Sequence, residues 1–257
     1  MTQSDLALGR RPLALLVDLD DTIVTDSTSA AANWKAAVDA AAAVVSFPAV
    51  TVLEAIHVER DWFWKDQERH RIGRADLVAA RRAIVVAALG RAAIAATVAE
   101  TAAVAIVAAY CAQVEAVRSV LPGSIEALTA IRGMGVKLAL VTNGSAETQR
   151  AKVERFALAP LFDAIVIEGE FGLGKPERAI YAHALSSVGV TAADAWMVGD
   201  NIEWDVAAPM RLGMRGIWIS PGHQVGGGAY TPVADAILPD LPALAALLAG
   251  LADGRKP

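Results

Sequence analysis

Six short apolar runs constrain the fold of this chain more than any other feature. They are "LALLV" (13–17), "KLALVT" (137–142), "AIVI" (164–167), "AWMV" (195–198), "GIWI" (216–219) and "AIL" (236–238). Each is continuous rather than alternating, and turn residues bound each one. A strand that is apolar on both sides must be covered on both sides, which is the condition of a parallel sheet flanked by helices. Amphipathic helical patterns lie between the runs, at 125–132, 146–156, 177–188, 206–212 and 241–251. Strand–helix alternation of this kind predicts an α/β fold with a Rossmann-like parallel sheet.

One gap breaks the alternation. More than a hundred residues separate the first run from the second, and they hold no strand pattern. They hold Ala/Val/Ile-rich helical patterns instead, at 28–46, 50–70, 74–89 and 92–118, punctuated by "SFP" (46–48) and "RIGR" (71–74). Four helices of this length can bury their faces against one another as a bundle. The expectation is a core domain formed by 1–26 and 119–257, with an α-helical bundle domain, 27–118, inserted after the first strand. "LPGS" (121–124) marks the return to the core. The C-terminal "ADGRKP" is expected to fray.

The composition narrows the partners. The net charge is −5 over 257 residues, and no Lys/Arg cluster stands out, which disfavours nucleic acid. The uncharged runs, such as 101–114, fall short of the ~18 residues that span a bilayer, and the N-terminus lacks the order of a secretory signal. No membrane partner is expected. Cys111 is the one cysteine, so no internal disulfide can form, in keeping with a reducing cytoplasm. Cys111 reads as a small buried hydrophobe. The apolar helical stretch is compatible with a monomer or a homodimer.

In open α/β sheets ligands sit at the carboxyl ends of strands, so the residues just beyond each run are informative. Asp18-Leu19-Asp20-Asp21-Thr22 comes after the first run, and Thr142-Asn143-Gly144 ends the second. "GLGKPE", with Lys175, comes after the third and a loop. Gly199-Asp200-Asn201, then Asp205, comes after the fourth. Each end offers a carboxylate, a hydroxyl, an ammonium or a glycine turn, and the topology can gather them into one small volume.

Taken in order, "DLDDT", "TNG", "GKP" and "GDNIEWD" resemble the haloacid dehalogenase-like hydrolase superfamily. The resemblance covers nearly the whole chain and is strongest to the small-molecule phosphatase branch. It implies that the inserted helices, 27–118, are a C1-type cap, and that the chain is a Mg²⁺-dependent phosphomonoester hydrolase acting on a small phosphorylated substrate.

The chemistry of each residue stands beside that resemblance. Asp18 ends a strand, and its carboxylate can attack phosphorus to form an aspartyl-phosphate. Asp20, two residues on, can protonate the leaving alkoxide and then activate water. Thr142 and the Asn143 backbone N–H can bind phosphoryl oxygens, and Gly144 lets the backbone turn. Lys175 supplies a fixed positive charge to the phosphoryl group and to Asp18. Asp18, the backbone carbonyl of Asp20 and Asp200 form a hard oxygen set suited to Mg²⁺. Asp205 is expected to orient Lys175 or a metal-bound water. Thr22 is expected to hydrogen-bond the turn that sets Asp18 and Asp20. Asp21 reads as turn or solvent, and Asp26 with Ser27 and Thr28 as a helix N-cap.

Alternatives remain on the same scaffold. A 2-haloacid dehalogenase also begins with an aspartate nucleophile but protonates no alkoxide, and such enzymes resemble one another in lacking the second Asp that is present here as Asp20. A sugar phosphomutase would keep both. A non-catalytic binding protein on the same fold would not need every polar position filled. In "RDWFWKDQERHRIGR" (60–74), Trp62 and Trp64 are candidates to line a substrate entrance, and Arg60, Lys65 and His70 to meet an anionic group. The plainer reading is a solvated helix face with tryptophans in the helical core. His57, His183 and His223 lack metal-ligand spacing, and "GHQVGGGAY" (222–230) reads as a surface loop rather than a phosphate loop.

Overall fold

The computed structural model describes residues 9–25, 30–222 and 234–254. The expected N-cap at Asp26, most of the 222–230 loop with His223, and the last residues of the tail lie outside them. The chain folds as two compact units, Met1–Thr25 with Ser119–Pro257, and Asp26–Arg118.

In the first unit every expected strand forms: β1 (Ala14–Val17), β2 (Lys137–Thr142), β3 (Ala164–Ile167), β4 (Ala195–Gly199), β5 (Arg215–Ile219) and β6 (Ala236–Leu238). They make one parallel sheet in the order β3-β2-β1-β4-β5-β6. β1 lies centrally, with Val17 opposite Leu140 of β2 and Val198 of β4. The connection leaving β1 goes to β2 on one side, and the chain returns to β4 on the other. A crevice opens at such a switch of direction, at the carboxyl ends of the strands.

Side chains alternate across the sheet, so each apolar run serves two cores. Leu15, Val17, Leu138, Leu140, Trp196 and Val198 face one layer. Helices Ser124–Gly133 and Leu241–Gly250 close that layer with Leu128, Ile131, Leu244 and Leu248. Ala14, Leu16, Ala139, Val141 and Met197 face the other, covered by Ile180, Tyr181, Ala184 and Val188 of the helix Arg178–Val188. The fold is therefore the expected α/β type, a parallel sheet between two helical layers.

The second unit is all helix, with α1 (Ala30–Ala42), α2 (Ala49–Lys65), α3 (Gln67–Ala75), α4 (Leu77–Arg91) and α5 (Ala96–Val117). Within it α1 packs on α5, α2 on α4 and α4 on α5. Trp34, Ile56, Ile84, Leu89, Ile106 and Tyr110 form its core, with the rings of Trp34 and Tyr110 stacked at 3.8 Å.

Two sequence expectations change here. The pattern at 50–70 is two helices, because Asp66 leaves the helical conformation and its Oδ1 accepts from the Arg69 N–H at 2.9 Å, capping α3. In addition, α5 runs unbroken through Glu100 and Glu115. Among the described residues it is the one helix long and apolar enough to cross a membrane, and 33% of its apolar window is buried inside the protein.

The polar stretch of this unit divides as well. Trp62 is 57% exposed under the Arg69 guanidinium, 3.7 Å from its ring centre. Trp64 is partly buried against the helical core, and Arg60 pairs with Asp61.

After β1 and its turn, three further helices complete the site region of the first unit. In chain order they come after Ser124–Gly133, which is α6: α7 (Ala146–Arg155), α8 (Glu168–Phe171) and α9 (Arg178–Val188). A π-helical turn, Ile202–Ala207, then precedes α10 (Ala208–Arg211), where the sequence pattern suggests one plain helix from 206 to 212.

Candidate active site

Asp18 directly follows β1 and is fixed there by its own backbone, whose N–H donates to the Val198 carbonyl at 2.9 Å. The chain then turns at once. Asp21 takes φ +53° and donates its N–H to the Val24 carbonyl at 2.7 Å, so Asp20 is presented at the head of a tight turn. Thr22 does not play its expected part. Its hydroxyl is buried and makes no hydrogen bond among the described residues.

Lys175 is the electrostatic centre of the unit. It is 1% exposed, and its Nζ lies 2.6 Å from Asp18 Oδ1 and 2.6 Å from Asp205 Oδ1. Burial alone would push the ammonium's pKa down, but the two carboxylates more than offset it and hold the lysine above its ordinary value. Asn143 fixes this lysine from below the side chain. Its Oδ1 accepts from the Lys175 N–H at 2.7 Å, and its Nδ2 donates to the Lys175 carbonyl at 2.8 Å.

Asp205 is fully buried. Its second oxygen accepts from the Asn201 N–H at 3.0 Å, so both oxygens are engaged within the protein. Asp205 is carried on a π-helical turn, Ile202–Ala207, a wide turn of the kind found at functional sites. Gly199 makes the room, because a Cβ there would stand 2.2 Å from Asp205 Oδ2.

Asp18, Asp200 and Asp205 each offer an oxygen, and these atoms lie within 4.8 Å of one another. Such crowding leaves its mark on the carboxyls. Burial, then repulsion from Asp18, Asp205 and Asp21, raises the Asp200 carboxyl to about 8 against the pull of Lys175. Burial raises Asp18 to about 6, with Lys175 opposing and Asp205 adding to the rise. Hard oxygen donors that repel one another are what a divalent cation relieves. With Asp205 committed to Lys175 and Asn201, the donors left to such an ion are Asp18 and Asp200. The Asp200 loop is anchored from behind by the Trp218 indole, which donates to the Asp200 carbonyl at 2.8 Å.

Asp20 lies on the opposite flank, against α7. Lys152 Nζ is 2.5 Å from its Oδ1. Gln149 Nε2 donates to its Oδ2 at 2.9 Å and also lies 2.6 Å from Thr142 Oγ1. Gly144 follows with φ +126°, a conformation that favours glycine, and its N–H donates to Glu168 Oε2 at 2.9 Å. The structure thus gathers Asp18, Lys175, Asp200 and Asp205 into one cluster, and links Asp20 to Thr142. Lys152, Gln149 and Glu168 are additions that no sequence motif flags.

Fold and site together define a class: three-layer α/β proteins with an aspartate at the end of the central strand, held by a buried lysine beside further carboxylates. Residues 13–213 match the model of the haloacid dehalogenase-like hydrolases, and the chain belongs to that family. It is 40% identical over 95 residues to a phosphoserine phosphatase from Thermus thermophilus, covering 37% of this chain and 38% of that protein. The chain spans under half the length of the curated relatives it matches. Among solved structures, a 2-haloacid dehalogenase from Pseudomonas syringae is 26% identical with a TM-score of 0.59, over 92% of this chain and 97% of the other. YfnB from Bacillus subtilis, solved bound to magnesium, shares the fold with a TM-score of 0.68 at 18% identity, over 93% and 99% of the two chains.

Proposed function

We propose that this protein is a Mg²⁺-dependent phosphatase that hydrolyses a small phosphorylated metabolite through an aspartyl-phosphate on Asp18. The observation that carries this reading is the buried pairing of Lys175 with Asp18 and Asp205, set beside a second acid at Asp20. The phosphatase named among the relatives supports the phosphoester class.

Lys175 holds Asp18 Oδ1, which leaves Oδ2 for attack on phosphorus. As the new O–P bond forms, the P–O bond to the leaving group breaks, and Asp20 gives that oxygen a proton. Asp20 then takes a proton from water, whose oxygen bonds to phosphorus and releases Asp18 with inorganic phosphate. Thr142 Oγ1 and the Asn143 N–H bind the phosphoryl oxygens. Lys175 balances the negative charge that builds there, in a setting where water cannot screen it. Asp18, Asp200 and the Asp20 carbonyl would hold Mg²⁺, which lets an anionic nucleophile approach an anionic phosphate. Asp205 keeps Lys175 in place.

The helical unit, 26–118, acts in this scheme as the cap that selects the leaving group and excludes water. A cytoplasmic setting, where such metabolites occur, accords with the lone cysteine.

A 2-haloacid dehalogenase is the reading that the Pseudomonas structure favours. Asp20 argues against it, because displacement of halide leaves no alkoxide to protonate. A sugar phosphomutase differs in passing the phosphoryl group on.

The test is a panel of phosphorylated metabolites and 4-nitrophenyl phosphate, assayed with Mg²⁺ and with EDTA. Phosphate release that depends on Mg²⁺ and disappears in Asp18→Asn is expected. Halide release from 2-chloropropionate in EDTA, or phosphate transfer between sugars without release, would overturn the assignment.

A further inference from the structure

Helix α7 carries a contradiction on its buried face. A helix packed against a sheet should present apolar residues there at spacings of three and four. Val153 does so, but Gln149 and Lys152 are on the same face and are buried too, with Lys152 only 3% exposed. Lysine is almost never buried without a partner, because its ammonium loses its hydration. Lys152 has its partner in Asp20, and Gln149 bonds the same carboxylate through the other oxygen. Two side chains one helical turn apart therefore grip both oxygens of one acid, which fixes the plane of the carboxyl group. Neither takes part in the mechanism above.

We infer that Lys152 and Gln149 are positioning residues that hold the Asp20 carboxyl for proton transfer, and that Gln149 also sets the Thr142 hydroxyl for the phosphoryl group. This rests on the role proposed for Asp20. The helix is built to deliver the grip. Ser145 caps α7, accepting from the Thr148 N–H at 3.2 Å, and the Gly169 N–H donates to the Gly144 carbonyl at 3.0 Å. A Cβ at Gly169 would stand 2.3 Å from the Ala146 nitrogen, so the first turn of α7 sits directly on α8. The first turn of α7 is thus braced against α8, and the Asp20 carboxyl is tied to α7 at both oxygens. Gln149 spans both functions with one amide, since its Nε2 serves Asp20 Oδ2 and Thr142 Oγ1 together.

The two tethers predict different kinetics. Loss of Lys152 loosens Asp20 but leaves the Gln149–Thr142 contact in place, so it acts mainly on turnover rather than on KM. Loss of Gln149 also frees the Thr142 hydroxyl, so KM rises as well.

The leaving group separates positioning from simple structural damage. An alkyl alkoxide needs a proton to depart, whereas 4-nitrophenolate does not. kcat/KM reports the steps through leaving-group departure, and it is compared for 4-nitrophenyl phosphate and for the alkyl phosphate that the wild type turns over fastest. Positioned proton transfer contributes roughly 100- to 10,000-fold, and a displaced group forfeits part of that. Lys152→Met is expected to lose roughly 10- to 100-fold on the alkyl ester and at most about threefold on the aryl ester. Lys152→Arg should recover much of the difference, and adding Lys152→Met to Asp20→Asn should cost nothing further.

Equal losses on both esters would mean a purely structural lysine and overturn the inference. So would an Asp20→Asn variant that shows the alkyl-selective loss while Lys152→Met does not. If Asp20→Asn itself shows no alkyl-selective loss, the acid role of Asp20 fails, and the positioning role fails with it. Should Lys152→Met not fold, Gln149→Met is read by the same ratio, with the rise in KM as its second signature.

Discussion

Metal dependence of stability offers a sharp quantitative consequence of the crowded carboxylates. In the unfolded chain Asp18 and Asp200 ionise near the usual ~3.9. In the folded, metal-free protein Asp18 keeps its proton up to about 6 and Asp200 up to about 8. The folded state then binds more protons than the unfolded one, so stability falls as pH rises. The contribution is fully present below the unfolded value and is lost progressively until the folded values are passed.

Above the Asp18 value Asp200 still carries its extra proton, and Asp205, whose carboxyl burial also raises, works in the same direction. The slope from Asp200 is ~1.4 kcal/mol per pH unit, so roughly 2–3 kcal/mol of its contribution disappears between about pH 6 and 8. A cation that binds the ionised pair restores what deprotonation removes. At about 2–4 °C per kcal/mol for a unit of this size, the rise in Tm on adding Mg²⁺ should grow by roughly 5–10 °C across that window. Circular dichroism melts in saturating Mg²⁺ and in EDTA, stepped through pH, measure this directly. Asp200→Asn should flatten the dependence. A Mg²⁺ effect that is constant, or that shrinks as pH rises, would mean that the carboxylates do not hold the ion.

Two substitutions probe the frame. Gly199→Ala places a methyl 2.2 Å from Asp205 Oδ2, so it should cost about 1–3 kcal/mol in urea titrations and depress kcat by pushing Asp205 away from Lys175. Ile84→Ala, in the core of the helical unit, should destabilise the protein by about 2–5 kcal/mol, again by urea titration, while leaving the Lys175 ion pairs intact.

Whether a residue's role is legible in the sequence depends on where that role originates. Asp18, Thr142, Gly199 and Asp200 stand at the ends of apolar runs, and a parallel sheet puts such ends together whatever its details. The strands are readable for the same reason, because burial on both faces writes itself as a continuous run. Lys152 and Gln149 are not readable. A polar residue on a buried helix face has meaning only through the group it meets, and Asp20 is more than a hundred positions away. Glu168 is similar, since it answers the N–H of Gly144 from 24 positions away, beyond α7 and β3. The π-helical turn at Ile202–Ala207 has the composition of an ordinary helix, and the contact it serves, Asp205 with Lys175, joins residues 30 positions apart. Asp66 is hidden by helix-forming neighbours on both sides, although its cap is local.

In the proposed reaction Asp18 carries the phosphoryl group. Asp20→Asn should let 4-nitrophenol depart while slowing attack by water, so the acyl phosphate accumulates. Acid quench after mixing with 4-nitrophenyl phosphate, borohydride reduction and peptide mass spectrometry then locate it, because a reduced aspartyl-phosphate becomes homoserine. Homoserine is expected at position 18, and none when Asp18→Asn is combined with Asp20→Asn. Phosphate release with no modified aspartate, or with the modification at another residue, would contradict it.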